Sequence, residues 1–106
     1  MLKLPTPCYA VIFTSQRRLG DAGYAEAAER MVELVQQQPG FIDVRSVRGT
    51  DGLGITVSYW DSLAAIAAWR AQAEHAATRE RGRANWYAHY ELQVRKVERA
   101  YDWQAP

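Results

Sequence analysis

The 106-residue chain predicts an α+β, ferredoxin-like domain of order β-α-β-β-α-β, with two helices on one face of a four-stranded antiparallel sheet. Three observations predict it. Hydrophobic periodicity switches between the two-residue repeat of strands and the three-to-four-residue repeat of helices in that order. The segment GTDG (49–52) joins two strand-like runs as a hairpin turn, and Pro39, Gly40 and Gly82 punctuate the helical segments.

The first strand is expected at 9–14 (YAVIFT), β-branched and aromatic on both alternating sets, as in a strand buried on both faces. Asp21 is placed to cap the following helix. Its apolar positions Tyr24, Ala27, Ala28, Met31, Leu34 and Val35 recur every three to four residues until Pro39 and Gly40 stop it. Residues 41–48 (FIDVRSVR) and 53–60 (LGITVSYW) form the antiparallel pair. Asp61 or Ser62 caps a second helical region, in which Leu63, Ile66, Ala67 and Trp69 form an apolar stripe and which Gly82 ends. The last strand, 86–97, alternates Trp86, Ala88, Tyr90, Leu92 and Val94 against Tyr87, His89, Glu91, Gln93 and Arg95. Val97 and Tyr101 fall in the second set, which predicts a bulge or strong twist near Arg95 and Lys96.

Residues 1–106 read as one domain, with 1–8 a lead segment and 102–106 a tail. Thirteen Lys plus Arg stand against twelve Asp plus Glu, so no global field draws in nucleic acid or an anionic membrane. Arg79, Arg81 and Arg83 read as a solvated helix end, with cations near its C-terminus. No stretch approaches the roughly 20 apolar residues of a membrane span. The start MLKLPTPCYA lacks the apolar core and cleavage site of a signal peptide, and the lone Cys8 cannot form an internal disulfide, which predicts a reducing, cytoplasmic setting. His75, His89 and Cys8 form no ligand-spaced cluster, so no metal is expected. There is no G-x-S-x-G elbow, P-loop or G-x-G-x-x-G motif.

Strands one and three carry apolar groups on both faces: Val11 and Phe13 against Ala10 and Ile12, and Ile55, Val57 and Tyr59 against Trp60. Two helices cover only one face. The other predicts sheet-to-sheet packing against a second copy, a homodimer.

The segment PGFIDVRSVRGTDGLGITVSYW, followed by AAWRAQAEHAATRERGRANWYAHYELQVRKVERAY, resembles the antibiotic biosynthesis monooxygenase (ABM) family of dimeric α+β barrel proteins. The likeness runs from about Tyr9 to Trp103. Its pattern is Pro39-Gly40-Phe41, Trp60, Ala68-Trp69-Arg70, Glu74-His75, Gly82-Arg83 and Trp86-Tyr87 in order. The resemblance implies a dimer through the sheet and a pocket in each subunit between helices and sheet. It also implies a cofactor-independent monooxygenase, with no cofactor, acting on a small aromatic, phenolic or quinol-like molecule. The alternative is a non-catalytic protein that binds a small aromatic metabolite in the same pocket. Heme-degrading relatives pair a first-strand asparagine with a tryptophan and a histidine ten residues on. Here YAVIFTSQRR has no asparagine and the residue ten after Trp69 is Arg79, which argues against heme.

In the cofactor-free reaction a deprotonated phenol or anthrone passes an electron to oxygen itself, so the protein needs an apolar slot, a base and a donor for the phenolate. His75 is the candidate base, Trp69 the aromatic partner and indole donor, and Arg79 or Tyr59 the group that steadies the anion. Phe13, Tyr59 and Trp86 are the candidate substrate-binding residues. On a straight helix His75 lies about 120° from Trp69, so the two converge only where the helix breaks near Ala71 or Gln72. Otherwise His75 is a helix-surface residue bonded to Glu74 or solvent, and Trp69 a core residue of its stripe.

Overall fold

The computed structural model describes residues 4–106. β1 (Cys8–Arg17), α1 (Tyr24–Val35), β2 (Phe41–Arg48), β3 (Leu53–Trp60), α2 (Leu63–Ala71), α3 (Ala73–Arg81) and β4 (Tyr87–Val97) follow in that order, with a π-helical turn, Gly82–Trp86, leading into β4. The antiparallel sheet has the order β2-β3-β1-β4, the expected ferredoxin-like arrangement.

Both members of the hairpin begin and end at the expected residues, because the GTDG turn and the alternation of Leu53, Ile55, Val57 and Tyr59 fix the register, which steps once, at Ile42 between Phe41 and Asp43. β1 is longer than 9–14. It pairs with β3 from Tyr9 opposite Trp60 to Gln16 opposite Leu53, so its polar end is held by two neighbours at once. α1 starts under Asp21, whose carboxylate accepts from the Gly23 and Ala25 amides at 2.9 and 3.1 Å. Ser62 caps α2, its Oγ accepting from the Ala65 amide at 3.1 Å.

Two expectations are corrected. The second helical region does not run unbroken to Gly82. Gln72, extended at φ −59° and ψ 127°, divides it into α2 and α3. Gly82 itself is right-handed helical, and a Cβ there would stand 2.9 Å from the Tyr87 ring, so this glycine permits close packing rather than a stop. The bulge in β4 lies at its start, not near Arg95 and Lys96. Pairing with β1 is continuous from Val97 opposite Cys8 to His89 opposite Gln16, then steps to Tyr87 opposite Arg17, leaving Ala88 as the extra residue. Val97 is apolar because it neighbours the buried Cys8, and no slip is needed to explain it.

Side-chain alternation sorts the sheet into two faces. Val11, Phe13, Ser15, Ser58 and Trp60 face the helices. Ala10, Ile12, Ile55, Val57 and Tyr59 face outward with Val47 and Leu53, and this outer surface leaves Val47 71% exposed. Among the described residues no helix is long and apolar enough to cross a membrane.

Candidate functional site

The break at Gln72 builds the first half of the site. Its side-chain carbonyl accepts from the His75 amide at 2.8 Å and so caps α3, while its own amide donates to the Trp69 carbonyl at 3.2 Å. The helical path is interrupted at this one residue. His75 then lies flat on Trp69, ring centroids 4.0 Å apart and planes 8° from parallel. Beyond Trp69 come the wholly buried Trp60, at 6.2 Å, and Phe41, edge-on to Trp60 at 5.5 Å. Trp60 satisfies its indole N–H on Ser58 Oγ at 2.9 Å.

One ring nitrogen of His75 is fixed. Nδ1 stands 2.9 Å from the Trp69 carbonyl oxygen, which only accepts, so in the neutral ring Nδ1 carries the proton and Nε2 holds the lone pair. Nε2 has no hydrogen-bond partner among the described residues. Burial lowers the His75 pKa below the usual 6.5. The Trp69 hydrogen bond opposes that shift, and the Arg79 and Arg70 guanidinium groups add to it. Arg79 donates through Nη1 to the Arg70 carbonyl at 3.2 Å, and its Nε is buried without a partner. Glu74 does not touch His75: Arg30 of α1 holds it through contacts of 2.7 and 3.3 Å.

A second cluster sits at the opposite end of the same face. Trp60 pairs with Tyr9 and Gly54 with Ser15, six residues along β1, which places the two ends roughly 20 Å apart. Here Phe13 packs against Tyr87 and Tyr90 at 5.5 and 5.2 Å, and Tyr24 meets Trp86 edge-on at 5.7 Å. Arg48 crosses from β2 to donate to the buried Ser15 Oγ at 2.8 Å and the Tyr24 hydroxyl at 3.3 Å, and Arg17 lies 3.6 Å over the Tyr24 ring. The Tyr87 phenol is pushed well above its ordinary pKa, first by burial and then by Tyr24, against the pull of Arg48 and Arg17.

The structure therefore gathers His75, Trp69 and Arg79 at one end and Phe13 and Trp86 at the other. Trp86 is buried, with its indole N–H donated to the Ala22 carbonyl at 2.9 Å. Tyr59 lies on the outer face under Arg45, away from both groups. Two open clefts flank these clusters: one of about 270 Å³ between α1 and α3, lined by Glu26, Arg30, Glu74 and Arg81 among others, and one of about 260 Å³ lined by Arg18, Arg83, Tyr87, His89 and Tyr90. His75 lines neither. Among the described residues no three His, Cys, Asp or Glu side chains converge as a metal site would require. Sequence reasoning named Gln72 as a place where the helix could break but not as the cap of α3, and it missed Arg70, Tyr24, Arg17 and Arg48 as site residues. The last three come together only through strand pairing and helix packing, and glutamine is not among the favoured caps that flag a helix start.

Comparison with known proteins adds kinship to this geometry. A model of the family described as antibiotic biosynthesis monooxygenase matches residues 15–81. The chain is 57% identical over 93 residues to the uncharacterized protein YqjZ of Bacillus subtilis (strain 168), covering 88% of this chain and 82% of that protein. Among solved structures it resembles SnoaB, a cofactor-independent oxygenase from Streptomyces nogalater, with TM-score 0.76, 15% identity, and 90% and 97% of the two chains covered. It also resembles a protein described as a putative antibiotic biosynthesis monooxygenase from Nitrosomonas europaea, with TM-score 0.76, 14% identity, and 91% and 95% covered. At these identities the structural likeness speaks for the fold.

Proposed function

The chain belongs to the antibiotic biosynthesis monooxygenase family, and from that premise we propose that it is a cofactor-independent monooxygenase of a small phenolic or quinol-like aromatic compound, with His75 as its base. The observation that carries this reading is the state of the imidazole: tied at Nδ1, open at Nε2, half-buried, and flanked by two guanidinium groups. Nε2 takes the substrate's hydroxyl proton, and Arg79, with Arg70, steadies the phenolate that remains. The electron-rich anion then reduces dioxygen directly. For an anthrone, one oxygen atom enters the ring methylene as a carbonyl and the other leaves as water, so no outside reductant is required. Trp69 backs the imidazole, while Phe13 and Trp86 stand at the other end of the helix-covered face, roughly 20 Å along β1. Tyr59, on the outer face, is assigned to contact between two copies.

That contact is the second part of the proposal: a homodimer through the outer face, supported by the exposed Val47, Leu53 and Ile55 beside Ile12 and Val57. A cytoplasmic setting accords with the single, buried, unpaired Cys8.

The experiment is oxygen uptake in air with a panel of anthrones and hydroquinones. Turnover is expected in the native protein, with a fall of about a hundredfold or more in His75→Ala. Undiminished turnover in that variant removes His75 as base. A second reading, a non-catalytic binder of a small aromatic metabolite, is favoured by one observation: His75 lines neither open cleft. Saturable tryptophan quenching by the same compounds, with no oxygen consumed, would establish it.

A further inference from the structure

Two side chains of α3 reach back across the helix break to consecutive carbonyls of α2. His75 donates from Nδ1 to the Trp69 oxygen and Arg79 from Nη1 to the Arg70 oxygen. The Trp69 oxygen also accepts from the Gln72 amide, so both of its lone pairs are engaged. Gln72 completes the arrangement: its backbone carbonyl accepts from the Ala76 amide at 2.9 Å, and its side chain holds the His75 amide. The direction of the imidazole is thus set by the break and not by the helix that carries it.

We propose that Gln72 is a positioning residue that, with the Trp69 carbonyl, locks His75 as the Nδ1–H tautomer, so that the site selects ligands which donate a hydrogen to Nε2. The consequence is discrimination between the two redox forms of one aromatic skeleton. A phenol or hydroquinone has the O–H that Nε2 accepts. The corresponding quinone offers only acceptors and finds a lone pair facing it. Reduced substrate is held and oxidised product is released, and this part rests on the monooxygenase reading of the same site.

The tautomer is read by long-range nitrogen–carbon-proton correlation of the imidazole in ¹⁵N-labelled protein at pH 8, without any ligand. Native protein is expected to show His75 protonated at Nδ1, Gln72→Met to move the signal toward Nε2–H, and Gln72→Glu, which keeps an acceptor, to restore it. Should Gln72→Met fail to fold, the native spectrum still decides, because an Nε2–H signal there overturns the proposal. So does an unchanged tautomer in a folded Gln72→Met. Binding of hydroquinone is expected to exceed that of its quinone by about three- to tenfold, the worth of one neutral hydrogen bond, and equal binding overturns the selection. If no phenol is oxidised while the Nδ1–H signal stands, the monooxygenase reading fails and the positioning role survives. Oxidation with an Nε2–H signal gives the reverse.

Discussion

At the level of single residues, His75 joins stability to acidity. Its folded pKa lies below the usual 6.5 because burial and two arginines disfavour the cation, while the unfolded chain titrates normally. As pH falls below about 6.5 the unfolded state therefore takes up more protons than the folded one, and stability is lost progressively until the folded imidazole itself titrates. Melting temperature measured from pH 8 to pH 5 is expected to decline in native protein and to decline less steeply in His75→Gln. Equal slopes would show that the imidazole is not desolvated in solution. Base catalysis ends only when the folded imidazole itself is protonated, so kcat/KM is expected to fall at lower pH than the onset of the stability loss, as pH passes through the depressed folded pKa. In the sequence, convergence of His75 and Trp69 was legible only as a condition on a break in the helix. No adjacent glycine or proline announced it.

At the level of elements, the entry to β2 depends on one backbone position. Gly40 has φ +82°, and a Cβ there would meet the Asp61 carboxylate and stand 2.6 Å from the Ala65 methyl at the start of α2. Gly40→Ala is expected to destabilise the fold by about 1–3 kcal/mol, through left-handed strain and displacement of α2. Denaturant titration checks this, and a loss within error would show that the loop relaxes freely. Pro39-Gly40 was readable as the end of α1 because helices cannot continue through that pair. Both hairpin strands were readable because a one-residue slip would turn Trp60 out of the core. The split of α2 from α3 was not readable. The run LAAIAAWRAQAEHAATRER carries no helix breaker, and the turn is held by a glutamine side chain and by stacking of Trp69 on Trp60 at the end of β3, a contact that helix propensity does not report. The bulge at Ala88 was hidden for a related reason, since alternation within one strand does not report which residues its neighbour leaves unpaired.

At the level of the whole molecule, the helices occupy one side of the sheet and leave aliphatic side chains on the other. Association through that side is expected at micromolar concentration, with sedimentation at twice the chain mass. Ile55→Glu places a charge in the middle of the apolar strip and is expected to weaken self-association by about thirtyfold or more, equivalent to about 2 kcal/mol. A native protein that sediments as a single chain would overturn this arrangement. The balance of 13 basic and 12 acidic side chains predicts that the association is only weakly salt-dependent.

The flat contact between the Trp69 and His75 rings also makes the protein its own indicator. A protonated imidazole withdraws electron density from an excited indole and quenches it, whereas a neutral one does so far less. Steady-state emission should therefore dim as the His75 proton arrives and stay level in His75→Gln. The ionisation of the proposed base can then be followed by light alone, before any substrate is known.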